Sequence, residues 1–163
     1  MNKEGVYQFL KEKGINFGCI EHKAVYNMAE LAEIELPYPE AEAKNLFVRD
    51  DKKRCYYLIT VKGDKRVDLK KFQHENGTRR LSFASDEDLY QILGLTPGSV
   101  SPFGLFNDIE CKTAFYIDIA FFEENSMVAV HPNDNAATVW LGSRDLVKLI
   151  AEHGNEVHEV HFE

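Results

Sequence analysis

The chain has 163 residues, a mass of 18.7 kDa, a net charge of −8, and 44% hydrophobic and 28% charged residues. That is the size of one domain spanning 1–163, with enough apolar mass for a core, so disorder is excluded and no disulfide staple is needed. No apolar run approaches the roughly 18 residues of a membrane span, the N-terminus MNKEGVYQFLKEKG lacks a signal peptide's apolar stretch, and the widely spaced Cys19, Cys55 and Cys111 frame no disulfide set, all of which fits a reducing cytoplasm.

Val6, Phe9 and Leu10 recur at helical spacing, and Gly14 stops that helix. Residues 17–22 read as a short strand. Asn27 with Glu30 resembles a cap before the helical run MAELAEI, and Pro37 and Pro39 break the chain after it. Residues 44–49 and 54–61 read as two strands around the polar turn 50–53. Residues 67–75 form a short basic helix ended by Asn76-Gly77. Residues 81–84 are a strand. Ser85 then caps a helix over 86–93, with Asp88 at the capping-box position and Gly94 as terminator.

Residues 96–104, TPGSVSPFG, are a stiff loop. Strands follow at 113–122, 126–131 and 137–141. Ser143 caps a last helix over 144–153 closed by Gly154, and residues 157–162 are a final strand. Short strands mix with short helices without a regular βαβ repeat. The fold class expected is α+β (an irregular α/β domain) around a mixed sheet.

The acidic balance argues against a general nucleic-acid binder, because phosphate contacts supply most of that affinity. The charge is uneven, however. Residues 44–80 hold 12 Lys and Arg against 5 acids, so the rest of the chain carries −15. A basic face on an acidic body is one reading, and a solvated surface of mixed charge is the other. The nucleotide-loop, nucleophile-elbow and zincin motifs are absent. His158 and His161 are three apart, which on a strand puts them on opposite faces. The three cysteines read as buried structural residues.

Three segments carry candidate chemistry. Lys44-Asn45 pairs a point-charge phosphate binder with a two-way hydrogen bonder. Gly98-Ser99-Val100-Ser101-Pro102, extended by Phe103, can bring backbone amides close to a carbonyl or a phosphate. His131-Pro132-Asn133-Asp134 gathers a titratable ring and amides in a turn between two apolar strands.

With these segments in this order, the sequence resembles the YbaK-like aminoacyl-tRNA editing domains. It is most similar to their free-standing prolyl-tRNA editing members. The matching stretches are KNLFVRD (44–50), YYLIT (56–60), RLSFAS (80–85), LGLTPGSVSPFGLFND (93–108) and HPNDNAATVWL (131–141). The resemblance implies a mixed sheet curled into a partial barrel with flanking helices. It implies an aminoacyl-tRNA hydrolase without a cofactor, acting on alanine mis-attached to proline tRNA. The overall acidity points to modest tRNA affinity and reliance on a protein partner for capture, prolyl-tRNA synthetase or an elongation factor, and no membrane is expected. The alternatives are a deacylase for another mischarged amino acid such as cysteine, a non-catalytic binding module, or a small-molecule sensor.

Carried over by position, Lys44, Asn45, Gly98 and His131 are the expected catalytic group. Ser99, Val100, Ser101, Pro102, Phe103 and Asn133 are the expected substrate-binding residues. His22 is left out, because Lys23-Ala24 follow it where the family often has prolines. An aminoacyl ester is already activated, so orientation and oxyanion stabilisation suffice. Amides of the 98–102 loop would hold the carbonyl, and Lys44 the terminal phosphate or ribose. Asn45 would bond to the amino group or the attacking water, and His131 would orient the water or the ribose hydroxyl. A ribose hydroxyl of the tRNA is the alternative source of assistance. Phe103 is an expected wall of a small pocket, and the basic segment is expected along the acceptor end.

Overall fold

The computed structural model describes residues 1–24, 38–123 and 125–163. The expected helix of residues 28–34, its cap at Asn27 and the break at Pro37 lie outside them. The first helix, α1 (Lys3–Glu12), is capped by the Asn2 side chain, which accepts from the Gly5 amide, and it buries Val6 and Leu10. β1 (Phe17–Glu21) follows. β2 (Ala43–Asp50) and β3 (Tyr56–Lys62) form a hairpin. Its turn is held by buried Asp50, whose carboxylate accepts from the Arg54 and Cys55 amides.

α2 (Leu69–Asn76) starts two residues later than expected, because Asp68 is its cap and accepts from the Lys70 and Lys71 amides. β4 (Leu81–Phe83) leads into α3 (Asp86–Asp88), which continues as a π-helical turn over Leu89–Leu93. Ser85 caps it as expected. The Asp88 carboxylate does not close a capping box but accepts from Arg49 (2.5 Å) and Tyr56 (3.4 Å), which ties α3 to the β2–β3 hairpin.

The expected strand 113–122 divides. β5 covers Thr113–Asp118, and Ile119–Phe122 is a 3₁₀ turn. The Asp118 side chain explains the break, since it caps the turn through the Ala120 amide and takes Lys65 in an ion pair at 2.8 Å. β6 (Met127–Val130) and β7 (Ala137–Gly142) precede α4 (Ser143–His153). Ser143 does not cap α4. Gly142 holds that position, and the Ser143 hydroxyl donates to the Phe121 carbonyl. β8 (Val157–Val160) ends before Phe162, whose ring stacks on Phe72 instead.

Two sheets result, in the orders β1-β7-β6 and β4-β2-β3-β5-β8. The first is antiparallel. The second is mixed, with β3–β5 and β5–β8 parallel. An isolated bridge between Glu42 and Ala129 links them just before β2. This is the expected α+β class, with curvature that stops short of a closed barrel. Phe47, Leu58, Phe103, Phe115, Leu141 and Leu146 belong to the main core, and Val48, Ile59, Phe72 and Tyr116 to a second cluster under α2. No helix among the described residues is long and apolar enough to cross a membrane.

The cysteine reading is corrected. Cys19 and Cys55 are exposed and Cys111 is half-buried. Cys19 falls on the outward side of β1, Cys55 sits in the hairpin turn, and Cys111 occupies a turn at φ 53°. Apolar neighbours in sequence do not bury a residue whose strand face looks outward.

Candidate active site

β4 pairs only with Val48–Asp50, leaving β2 uncovered by it further back toward its start. The Ala84 amide donates to the Phe47 carbonyl, and the chain then turns away into α3. A cleft of about 290 Å³ opens there, lined by Asn45, Leu46, Phe47, Phe83, Ala84, Asp86, Leu89, Pro97, Gly98 and Val100. It brings three of the expected residues together: Asn45, Gly98 and Val100.

Asn45 is fixed from behind. Its Oδ1 accepts from the Thr60 hydroxyl at 2.5 Å across the β2–β3 ladder, so its amide nitrogen keeps two free donors on that side chain's other end. Gly98 has φ 91°, a conformation costly for any residue with a Cβ. Ser99 is buried in the loop, and its amide bonds to the Thr96 carbonyl.

Ser101 is the hinge between loop and turn. It is wholly buried, and its hydroxyl donates to the His131 carbonyl at 2.5 Å while accepting from the Phe103 amide at 3.2 Å. The His131 ring is positioned by its own bond, with Nδ1 donating to the Ala137 carbonyl at 2.9 Å. Burial holds its pKa below the ordinary 6.5, outweighing that bond, and nearby His22 pushes the same way. The neutral ring therefore carries its lone pair on Nε2.

Other expected residues stand elsewhere. Lys44 is one step along β2, hence on the opposite face from Asn45, and its ammonium donates to the Lys65 carbonyl. Pro102 and Phe103 begin a 3₁₀ helix (Pro102–Asn107) and are buried in the core, so Phe103 does not line the cleft. Asn133 sits at φ 61°, and its Nδ2 donates to the Met1 carbonyl.

Several neighbours were not legible beforehand. His22 lies with its ring 6.5 Å from that of His131. In its neutral form, Nδ1 donates to the Lys23 carbonyl and Nε2 accepts from Thr138. Its motif context had argued against it, and only the β1–β7 register (Ile20 opposite Thr138) brings it in. Thr60 and Phe83 lie in matching stretches but carried no expected role, and Asp86 and Leu89 fall outside those stretches.

Much of the basic segment's charge is paired with acids. Arg49, Lys65, Lys71 and Arg79 pair with Asp88, Asp118, Glu163 and Asp51. Lys52, Lys53 and Arg54 are exposed at the hairpin tip, with Arg80 exposed just ahead of β4.

Comparison with known proteins identifies the family and the fold. The aminoacyl-tRNA editing domain model matches residues 22–149. The chain is 42% identical over 153 residues to the prolyl-tRNA editing protein ProX of Acetoanaerobium sticklandii, covering 94% of this chain and 93% of that one. It is 31% identical to prolyl-tRNA synthetase associated domain-containing protein 1 of Mus musculus, covering 96% and 94%. A solved structure described as a candidate trans-editing enzyme for prolyl tRNA synthetase superposes with a TM-score of 0.70 at 21% identity, over 100% of this chain and 99% of that one, and shows the shared fold. The chain belongs to the aminoacyl-tRNA editing domain family, whose activity is hydrolysis of aminoacyl-tRNA.

Proposed function

We propose that the protein is a trans-acting editing deacylase that removes alanine mis-attached to proline tRNA. The observation that carries this reading is the meeting of Asn45 with the Gly98–Val100 loop in one cleft, with the His131 turn latched to that loop through Ser101. The relative named as a prolyl-tRNA editing protein supports proline tRNA as the carrier.

In this reading a water attacks the ester carbonyl carbon. The bond from that carbon to the terminal ribose oxygen breaks, and the water's proton ends on the ribose hydroxyl. Free alanine and intact tRNA result. Backbone amides of Gly98 and Val100 stabilise the oxyanion, and the Asn45 side-chain amide bonds to the water or the substrate's amino group. His131 Nε2 orients the water or the ribose hydroxyl. Lys44, on the opposite face of β2 and bonded to the Lys65 carbonyl, takes no part in this step. Leu89 and Val100 give the alanine methyl an apolar floor. A proline ring, two carbons larger, is rejected by size, which is the direction in which a pocket discriminates well.

The test is loss of label from alanyl-tRNA(Pro), with prolyl-tRNA(Pro) and alanyl-tRNA(Ala) beside it. Turnover of the first alone is expected, slowed about 10²–10³-fold by Asn45→Ala. Equal turnover of all three, or none of the first, overturns the proposal.

A further inference from the structure

Phe83 closes the short edge strand β4 and is 63% exposed. Lone exposed apolar residues are ordinary. This one lines the same cleft as Asn45 and Gly98, where the chain leaves β2. Asp86 lines it too and is exposed. A carboxylate there repels a phosphate but accepts well from an amine. The cleft mouth thus offers a π-face and a hydrogen-bond acceptor, which suits a base rather than a phosphate.

Positive charge lies further along the same edge. Asp50 pairs with Leu81, so the β2–β3 turn adjoins the start of β4. Lys52, Lys53 and Arg54 lie beyond it at the hairpin tip. An aromatic platform followed by a basic track is how proteins hold single-stranded nucleic acid.

We propose that Phe83 and Asp86 form a platform for the terminal adenine of a tRNA acceptor end. Phe83 stacks on the base, Asp86 accepts from its exocyclic amine, and the preceding phosphates run toward the hairpin tip. This inference rests on the proposed function, since the cleft that binds the ester also receives the nucleotide bearing it.

The test reads binding, not hydrolysis. A labelled uncharged RNA hairpin ending in CCA is compared by anisotropy with one lacking the terminal adenosine. The wild-type protein binds the full hairpin roughly 5- to 150-fold more tightly, the range expected for one stacked base. Phe83→Ala loses most of that preference, Phe83→Trp keeps it, and neither shifts the urea midpoint. Asp86→Ala weakens binding of the adenosine-ended hairpin but not of one ended by purine riboside, which stacks without the amine. The proposal is overturned if the wild type does not distinguish the first two hairpins or if Phe83→Ala still does. Loss of binding to both ends by Asp86→Ala overturns the role of Asp86. A protein that prefers the adenosine yet leaves alanyl-tRNA(Pro) intact retains the platform and loses the proposed function.

Discussion

Ser101→Ala isolates the latch between the glycine loop and the His131 turn. The hydroxyl has two partners, the His131 carbonyl at 2.5 Å and the Phe103 amide at 3.2 Å, and no exposure to water. Removing it orphans one acceptor and one donor, each costing about 1–3 kcal/mol when buried. Partial relaxation brings the expected loss to about 2–4 kcal/mol. With a urea dependence of roughly 2 kcal/mol per M, the midpoint falls by about 1–2 M. The loop is also freed to move relative to His131. A displacement near 1 Å costs on the order of 10²-fold in rate, so kcat on alanyl-tRNA(Pro) falls by about 10–100-fold with KM less affected. Urea denaturation and single-turnover deacylation read the two effects. Ser99→Ala, in the same loop but bonded through its backbone to Thr96, is the control and stays near wild type. If Ser101→Ala matches Ser99→Ala in both assays, the latch does not couple loop to turn.

Burial keeps His131 neutral below its ordinary 6.5, so deacylation should hold through that pH and fall only in more acid solution; an acid limb centred at 6.5 or above refutes this. The unfolded chain takes up the proton near 6.5 and the native one at lower pH, so stability declines as pH falls below 6.5 and levels off under the native pKa. His131→Asn removes that share of the decline in urea midpoints measured against pH. Exposed Lys52, Lys53 and Arg54 predict salt-sensitive RNA binding, and neutralising all three should flatten the slope of log K against log salt by about 1–2, at roughly 0.7 per single-strand phosphate contact; an unchanged slope removes the hairpin tip from the RNA path. Gly18 faces Trp140, and a Cβ there would stand 2.3 Å from the indole, so Gly18→Ala should lower the thermal midpoint by several degrees, overpacking costing about 1–3 kcal/mol. An unchanged midpoint means that Trp140 can swing away freely.

Local order was legible wherever a short-range rule governs it. Gly14, Gly77, Gly94 and Gly154 all end their helices in the left-handed region, and Ser85 caps α3. The hairpin of β2 and β3 follows from apolar runs around a polar turn. Where the reading failed, a distant partner decided. Asp118 ends β5 early because a 3₁₀ turn and Lys65 claim its carboxylate, and Asp88 abandons its capping box for Arg49.

The same division runs through the site. Asn45, the 98–102 loop and the His131 turn were recognisable as motifs, being chemistry concentrated in a few adjacent residues. Their geometry was not. Strand pleating puts Lys44 on the face away from Asn45, and core packing takes Phe103 out of the cleft. The β1–β7 register brings His22 beside His131, and the early end of β4 leaves room for Phe83 and Asp86 at the mouth. Sequence by itself determined the family, the α+β class and the chain order of the chemical groups, because turns, caps and motifs are set by neighbours a few positions apart. Only the tertiary structure decided which of those groups share a cleft, because strand register and sheet edges depend on pairings between residues tens of positions apart.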